Sequence, residues 1–335
     1  MAYEPPFSIS ATTLNLIASI SEQLGRLSAL TEQAQALRLR RANQIRTIQG
    51  SLAIEGNTLT VEQITAVLEG KPVIAPQKEV QEVKNALAVY ERFEHWLPGR
   101  EADMLEAHRI LMMGLVDGEG NYRSGGVGVM SGSEVVHMAP PANQVPRLMS
   151  DLFDWLGCTE HHPLIASVVF HYEFEFIHPF ADGNGRMGRL WQSLILACWN
   201  PLFANLPIES LVHQHQAEYY QAIGRSTQLT DGAPFIEFML QVIDETLKEQ
   251  LNPQVTPQVT PQVTPQVVLD ILSRYSGLDN YCLKPRSRQE LQDFCGLKDR
   301  ENFRKSVLKP LLDAGWLYLE IPDKPRSSKQ RYYCL

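Results

Sequence analysis

The segment HPFADGNGRMGR, residues 178–189, decides how the rest of this chain is read. Apolar runs flank it: HPLIASVVFHYEFEFI at 162–177 and GRLWQSLILACW at 188–199. Runs of that length and composition are expected as buried helices. The polar segment between them is therefore a loop held against a core. Gly183-Asn184-Gly185 lets the backbone turn and approach a ligand without a Cβ clash. A helix expected to begin near Arg186 would present free N–H groups and partial positive charge at its start. Together these make an anion cradle suited to phosphate. Arg186 and Arg189 are three apart and share one helix face. Two guanidinium forks beside the cradle fit a multiply charged anion such as a polyphosphate. Asp182 at the rim is placed to hold Mg²⁺ through oxygen. His178 is the group here that takes a proton near neutral pH. Pro179 and Phe180 would stiffen and anchor the loop.

Outward from this point the pattern stays helical. TLNLIASISEQLGRLSAL, KEVQEVKNALAVYERFEHWL, EADMLEAHRILMMGLV and GAPFIEFMLQVIDETLKEQL all carry apolar residues at helical spacing. Thr60 followed by Gln63 reads as a capping box opening a short helix that ends before Gly70. One stretch departs from the pattern. Val127–Met130 and Val135–Met138 are β-prone, with Ser131, Gly132 and Ser133 between them. A β-hairpin is expected there, and its exposed edge can add an extended chain as a further strand.

Residues 252–267 repeat PQVT with period four. Proline at that frequency excludes a helix and a central strand, so an extended linker is expected. Beyond it, from 268 to 335, three amphipathic helices and two short strands around a Pro-rich basic turn suggest a winged helix. Ser287 and Glu290 would cap its second helix, Lys298 to Lys309 would form a basic third helix, and Arg326, Lys329 and Arg331 would lie on the wing. Such a module reads DNA or docks protein, and the sequence leaves both open. The resulting division is 1–98, 99–251, the linker at 252–267, and 268–335.

The chain has 335 residues and a net charge of −8, so bulk electrostatics do not favour nucleic acid or an anionic membrane. Its five cysteines, Cys158, Cys198, Cys282, Cys295 and Cys334, show no CxxC spacing and are expected as reduced thiols. No apolar run approaches a membrane span, and the N-terminus lacks a secretory pattern. A cytoplasmic location without membrane association is the expectation.

HPFADGNGRMGR resembles the signature of the Fic (Fido) family, HPFx[DE]GNGRxxR, at every fixed position. The resemblance covers roughly residues 50–245 and extends to the linker and C-terminal module. It implies an all-α class: a Fic-type helical core with a small β-hairpin flap, plus a C-terminal winged-helix domain. It also implies transfer of AMP from ATP to a Ser, Thr or Tyr hydroxyl of a target protein, with Mg²⁺ and with auto-modification expected. In that reading His178 is the catalytic base and Asp182 the metal ligand. Gly183, Asn184, Gly185, Arg186, Met187, Gly188 and Arg189 form the nucleotide site. The flap, carried by Val127, Gly128, Val129, Met130 and Val135, would align the target as an added strand.

SLAIEGN, residues 51–57, reads without help as a helix end carrying a solvated acid, with Ser51 and Glu55 on one face. The family resemblance changes that reading. Ser51, Glu55 and Gly56 match the inhibitory pattern [ST]xxxE[GN], on an inhibitory helix at about 43–57. Glu55 would then pair with Arg189 and restrain the enzyme. Tyr219 and Tyr220 are candidates to pack on adenine, against the alternative of ordinary helix packing. Val136 and His137 are candidates for the opposite wall. An apolar, helix-rich N-terminal region can support a homodimer. Two other readings stand beside the transferase: removal of AMP by the same site, and a DNA-binding regulator with a nucleotide-sensing core.

Overall fold

The computed structural model describes residues 3–30, 33–126, 128–131, 134–251, 271–272, 274–275, 277–282, 285–297, 299–313, 317–319 and 330–333. The expected linker at 252–267, Val127, and the wing residues Arg326 and Lys329 lie outside these. The chain separates into two compact units, Met1–Gln254 and Val255–Leu335.

The first unit is built almost entirely from helices: α1 (Ala11–Leu30), α2 (Gln33–Ile54), α3 (Val61–Leu68), α4 (Gln77–Arg92), α5 (Glu101–Leu111), α6 (Val145–Cys158), α7 (Pro163–Ile177), α8 (Asn184–Trp199), α9 (Ile208–Gln214), α10 (Gln216–Leu229) and α11 (Ala233–Leu251). Its centre is α7, which packs along α8 and is buried at nearly every position. That explains why its sequence shows so little amphipathic contrast: a helix surrounded by protein has no polar face to display. Phe170, Phe174, Phe180, Trp191 and Phe235 are among the large side chains sealed in this core. At roughly 1.5–3 kcal/mol for each large apolar side chain buried, the α7–α8 pair is the main anchor of the unit.

The N-terminal helices join this same core. α1 lies on α11, and α2 lies on α9. A Cβ added at Gly50 would come within 2.7 Å of the Glu209 carbonyl and the Ser210 nitrogen, so α2 and α9 approach backbone to backbone. α2 begins earlier than the sequence suggests and ends at Ile54, which leaves Glu55 on the turn that follows. Gly56, at φ +89°, makes that turn in the left-handed region. The Thr60–Gln63 capping box forms as expected at the start of α3. Thr60 Oγ1 accepts from the Gln63 amide at 3.3 Å, and Gln63 Oε1 accepts from the Thr60 amide at 2.9 Å.

The hairpin consists of β1 (Gly128–Ser131) and β2 (Glu134–Met138), antiparallel, with a register shift between Val129 and Met130. In the second unit, Leu278–Cys282, Arg288–Phe294 and Arg300–Asp313 are helical, the last through a π-turn at Arg304–Leu308. A strand that the sequence reading missed, Arg286–Ser287, pairs with Arg331–Tyr333, which in turn pairs with Tyr318–Leu319. Ser287 serves both that strand and the capping box with Glu290. The third helix is less basic than its composition implies, because Glu301 faces Arg304 at 3.4 Å and Lys305 at 3.6 Å. Among the described residues, no helix is long and apolar enough to cross a membrane.

Candidate active site

The loop between α7 and α8 is shaped by both helix ends. α7 stops at Ile177, and His178 caps it in the left-handed region at φ 50°, an uncommon state for a residue with a Cβ. The surroundings hold this strained turn in place. Arg123 is the main brace. Its Nε donates to the His178 carbonyl at 2.7 Å, Nη1 to the Gly125 carbonyl at 2.9 Å, and Nη2 to the carbonyls of Ile177 and Pro140. Its own amide donates to the Pro179 carbonyl at 2.9 Å. One buried guanidinium thus ties the end of α7 to the segment after β2.

A second brace lies under Phe180. The His108 ring stacks on it with centroids 3.6 Å apart. His108 Nδ1 accepts from the Gly120 amide at 2.9 Å, which leaves Nε2–H to donate to the Asp182 carbonyl at 3.0 Å. Burial holds the His108 pKa below its usual value, consistent with that neutral tautomer. Neither His108 nor Arg123 was singled out from the sequence. The bonds by which they reach the loop span 55 and 74 residues, and neither sits in a local pattern that reports it.

α8 starts at Asn184, two residues earlier than expected, with Gly183 as N-cap at φ +85°. The Asn184 side chain braces the loop. Its Oδ1 accepts from the Phe180 amide at 2.8 Å and its Nδ2 donates to the Phe180 carbonyl at 2.9 Å, so the side chain closes the loop on itself. The amides of the first turn of α8 remain outside the helical ladder, as at any helix start.

Arg186 and Arg189 are not solvated. They are 5% and 3% exposed, so both guanidinium groups are buried. Arg186 Nη2 meets Asp182 Oδ1 at 3.1 Å, and Nη1 lies 3.7 Å from Glu82 Oε1 on α4. Its Nε and Nη1 have no hydrogen-bond partner, an unusual state for a buried guanidinium and one that suits an incoming anion. Arg189 is fully engaged. Nη2 donates to Glu55 Oε1 at 2.7 Å and to the Ser51 carbonyl at 2.9 Å, and Nε reaches Ser51 Oγ at 3.3 Å. Burial works against its charge, yet Glu55, Tyr219 and Glu175 hold its pKa above the ordinary value. The Glu55 carboxylate lies over the helix start itself: a Cβ at Gly185 would sit 2.5 Å from Glu55 Oε1.

Met187 is fully buried. Gly188 packs against α7. A Cβ there would lie 2.6 Å from His171 Cδ2 and 2.9 Å from Glu175 Oε1. Tyr219 takes the packing alternative. It is 1% exposed, its hydroxyl reaches His171 Nε2 at 3.2 Å, and its ring lies against Phe235 and Tyr220. It is core, whereas Tyr220 is only partly buried. Val136 and His137 lie on β2, and Gly128, Val129, Met130 and Val135 on the hairpin. Among the described residues, no group of three or more His, Cys, Asp or Glu could hold a metal alone. Asp182 presents a half-exposed carboxylate at the cradle rim. One such carboxylate plus phosphate oxygens is an ordinary Mg²⁺ arrangement, so the residues fit that ion as a partner of a bound triphosphate.

Comparison with known proteins agrees with this geometry. Residues 96–196 match the Fic/DOC family, and residues 280–334 match the C-terminal domain of Fic-like proteins named for filamentation induced by cAMP. The chain is similar to the crystal structure of a Fic family protein from Desulfovibrio desulfuricans G20, at 49% identity and a TM-score of 0.74. That match covers 99% of this chain and 98% of the other. It is 30% identical over 212 residues to a protein adenylyltransferase Fic of Nematostella vectensis, covering 60% of this chain and 47% of that one. It is 29% identical over 249 residues to the Drosophila virilis protein of the same name, covering 69% and 48%. The chain spans about half the length of the curated relatives it matches.

Proposed function

Because the chain belongs to the Fic/DOC family, we propose that it is a protein adenylyltransferase, moving AMP from ATP to a Ser, Thr or Tyr hydroxyl of a target protein, itself included. The observation that supports this reading is the run of His178, Asp182, Arg186 and Arg189 along one loop and the start of α8, with Arg186 paired to Asp182 and Arg189 to Glu55.

His178 takes the proton of the target hydroxyl. The freed oxygen forms a bond to the α-phosphorus, the bond from that phosphorus to the bridging oxygen breaks, and pyrophosphate leaves. The amides of the first turn of α8 and Arg186 carry the charge on the phosphates, and Arg189 joins them once Glu55 is displaced. Mg²⁺, held by Asp182 together with phosphate oxygens, supplies further charge neutralisation when bound. Arg123 and His108 keep the loop in its strained turn, so the base does not have to be organised during the reaction. The hairpin offers an edge on which the target segment adds as a strand, which would bring its hydroxyl to His178.

In this reading the enzyme is self-restrained. Glu55 occupies both the Arg189 fork and the helix start, so ATP would enter with its terminal phosphate displaced. A second reading has one observation in its favour. The Glu55 side chain remains about a third exposed, at 32%, so its carboxylate can also position a water for removal of AMP from a modified target.

The test is mass spectrometry of the full chain carrying Glu55→Gly, incubated with ATP and Mg²⁺. The expected result is a gain of one AMP on the chain or on an added target, absent when His178→Ala is combined with it. Absence of any adduct in E55G with a broad protein mixture would remove the transferase reading. Loss of AMP from a pre-modified target, catalysed by the parent and not by E55G, would favour the second.

A further inference from the structure

Glu175 is a buried carboxylic acid that neither the Glu55–Arg189 contact nor the start of α8 hydrogen-bonds. It lies on the last turn of α7, three residues before His178, and only 7% of it is exposed. Its Oε2 is 3.8 Å from His178 Nδ1. Its Oε1 is buried with no hydrogen-bond partner. A buried carboxyl is costly, and one left unsatisfied more so, unless it serves something nearby.

The groups around it narrow that service. His171, from the same helix, is 3.9 Å from Oε1, but it is not a counter-ion. Burial drives its pKa down to about 3, Nδ1 is bound to Gln192 and Nε2 to Tyr219. Tyr219, from α10, keeps its phenol protonated because burial and neighbouring charge raise its pKa well above the usual value. Arg189, from α8, is already held by Glu55, from the turn after α2. That leaves His178. The position is also made by α8: Gly188 lies so close that any Cβ would press on both Glu175 and His171. The carboxyl is therefore held in place from two helices.

We propose that Glu175 is a positioning residue for the base, orienting His178 with Nδ1–H toward the carboxyl and serving as counter-ion when the imidazole becomes charged. This rests on the transferase reading for its purpose, though not for its geometry. With Nδ1–H turned inward, Nε2 keeps its lone pair for the target hydroxyl. When Nε2 takes that proton, the imidazolium faces Glu175 at a distance where its positive charge favours the ionised carboxyl. No proton leaves the site in this step; the one from the hydroxyl stays on Nε2. Burial raises the Glu175 pKa to about 8, Arg189 opposes the rise, and Glu55 adds to it. Withdrawal of Glu55 removes the last of these contributions, so displacement of the restraint favours the charged form of Glu175.

The experiment is an NMR titration of the His178 ring in full-length E55G, with E55G/H178A supplying the assignment, compared with E55G/E175Q and E55G/E175D. Loss of the carboxyl in E175Q should lower the His178 midpoint by about one pH unit, a tenfold fall in proton affinity, and E175D should lower it less. Self-labelling followed against pH should show its acid limb moving the same way in E175Q, with KM for ATP unchanged. A His178 midpoint identical in E55G and E55G/E175Q overturns the proposal. Thermal midpoints identify a variant that has lost its fold; if E175Q has, E175D carries the test, and an unmoved midpoint there overturns it equally. The titration does not need turnover, so the two readings fail separately. A shifted midpoint without AMP transfer by E55G removes the transferase and keeps Glu175. AMP transfer with an unmoved midpoint does the reverse.

Discussion

Glu55 and Arg189 meet at 2.7 Å across 134 residues of chain, and the carboxylate that makes this contact also lies against the first turn of α8. One side chain thus touches both Arg189 and the start of α8. Glu55→Gly should raise self-labelling by roughly 5–150-fold, the range expected when a coupling of about 1–3 kcal/mol is removed. Arg189 keeps its contacts to Ser51, so the fold should survive with a modest fall in thermal midpoint. Initial labelling rates with radioactive ATP check the first outcome and calorimetry the second.

Asp182 is committed to Arg186 and to the Gly183 amide through one oxygen, Oδ1. Asp182→Ala should shift the Mg²⁺ titration of labelling to higher concentration. EDTA should abolish labelling in the E55G chain and excess Mg²⁺ restore it. A labelling rate indifferent to EDTA would contradict the assignment of Asp182.

Gly188 separates α8 from His171 and Glu175. Gly188→Ala inserts a methyl group where the nearest atoms would lie 2.6 Å and 2.9 Å away, on buried side chains of a packed helix. The expected cost is about 1–3 kcal/mol, the usual range for overpacking. Urea denaturation should show a lower midpoint at unchanged slope. No equivalent cost is expected at Gly25, where an added Cβ meets nothing within 4 Å.

Two buried groups set opposite pH limits on stability. Burial lowers the His171 pKa from 6.5 to about 3. The unfolded chain therefore binds a proton that the folded chain refuses, and stability from this group is lost as pH falls below 6.5. Burial raises the Glu209 pKa from 4.5 to about 7, against opposing hydrogen bonds that include one from Ser193. The folded chain keeps a proton that the unfolded chain releases, so stability from this group is lost as pH rises from 4.5 through 7. Each slope is about 1.4 kcal/mol per pH unit at most. Thermal midpoints measured across pH should flatten on the acid side in His171→Gln and between pH 4.5 and 7 in Glu209→Gln.

The helices were legible because their apolar spacing and caps are local. The Thr60–Gln63 and Ser287–Glu290 boxes each depend on residues three apart, and both form. The hairpin was legible for the same reason, from two β-prone runs around a small-residue turn. The ends of α2 and α8 were misjudged by a few residues or more. Helix ends depend on what the first and last turns pack against, and propensity carries little of that information. Tyr219 shows the same limit from the other side. Its neighbour Tyr220 has the same ring one position on, and only the packing of α10 against Phe235 and His171 decides which of the two is sealed.

By itself the sequence determined the helical class, the loop with its histidine, aspartate and two arginines, and the family pattern that joins Glu55 to Arg189. The first two follow from residue type and short spacing, where covalent connection does the positioning; the third is what the resemblance to the Fic family implies. The tertiary structure decided that the arginines are buried, that Glu82 faces one of them and Glu175 faces His178, and that Arg123 and His108 hold the loop in its strained turn. Charge and hydrogen-bond effects of this kind depend on distance through space and on exclusion of water. Neither exists until α2, α4, α7 and α8 have packed together.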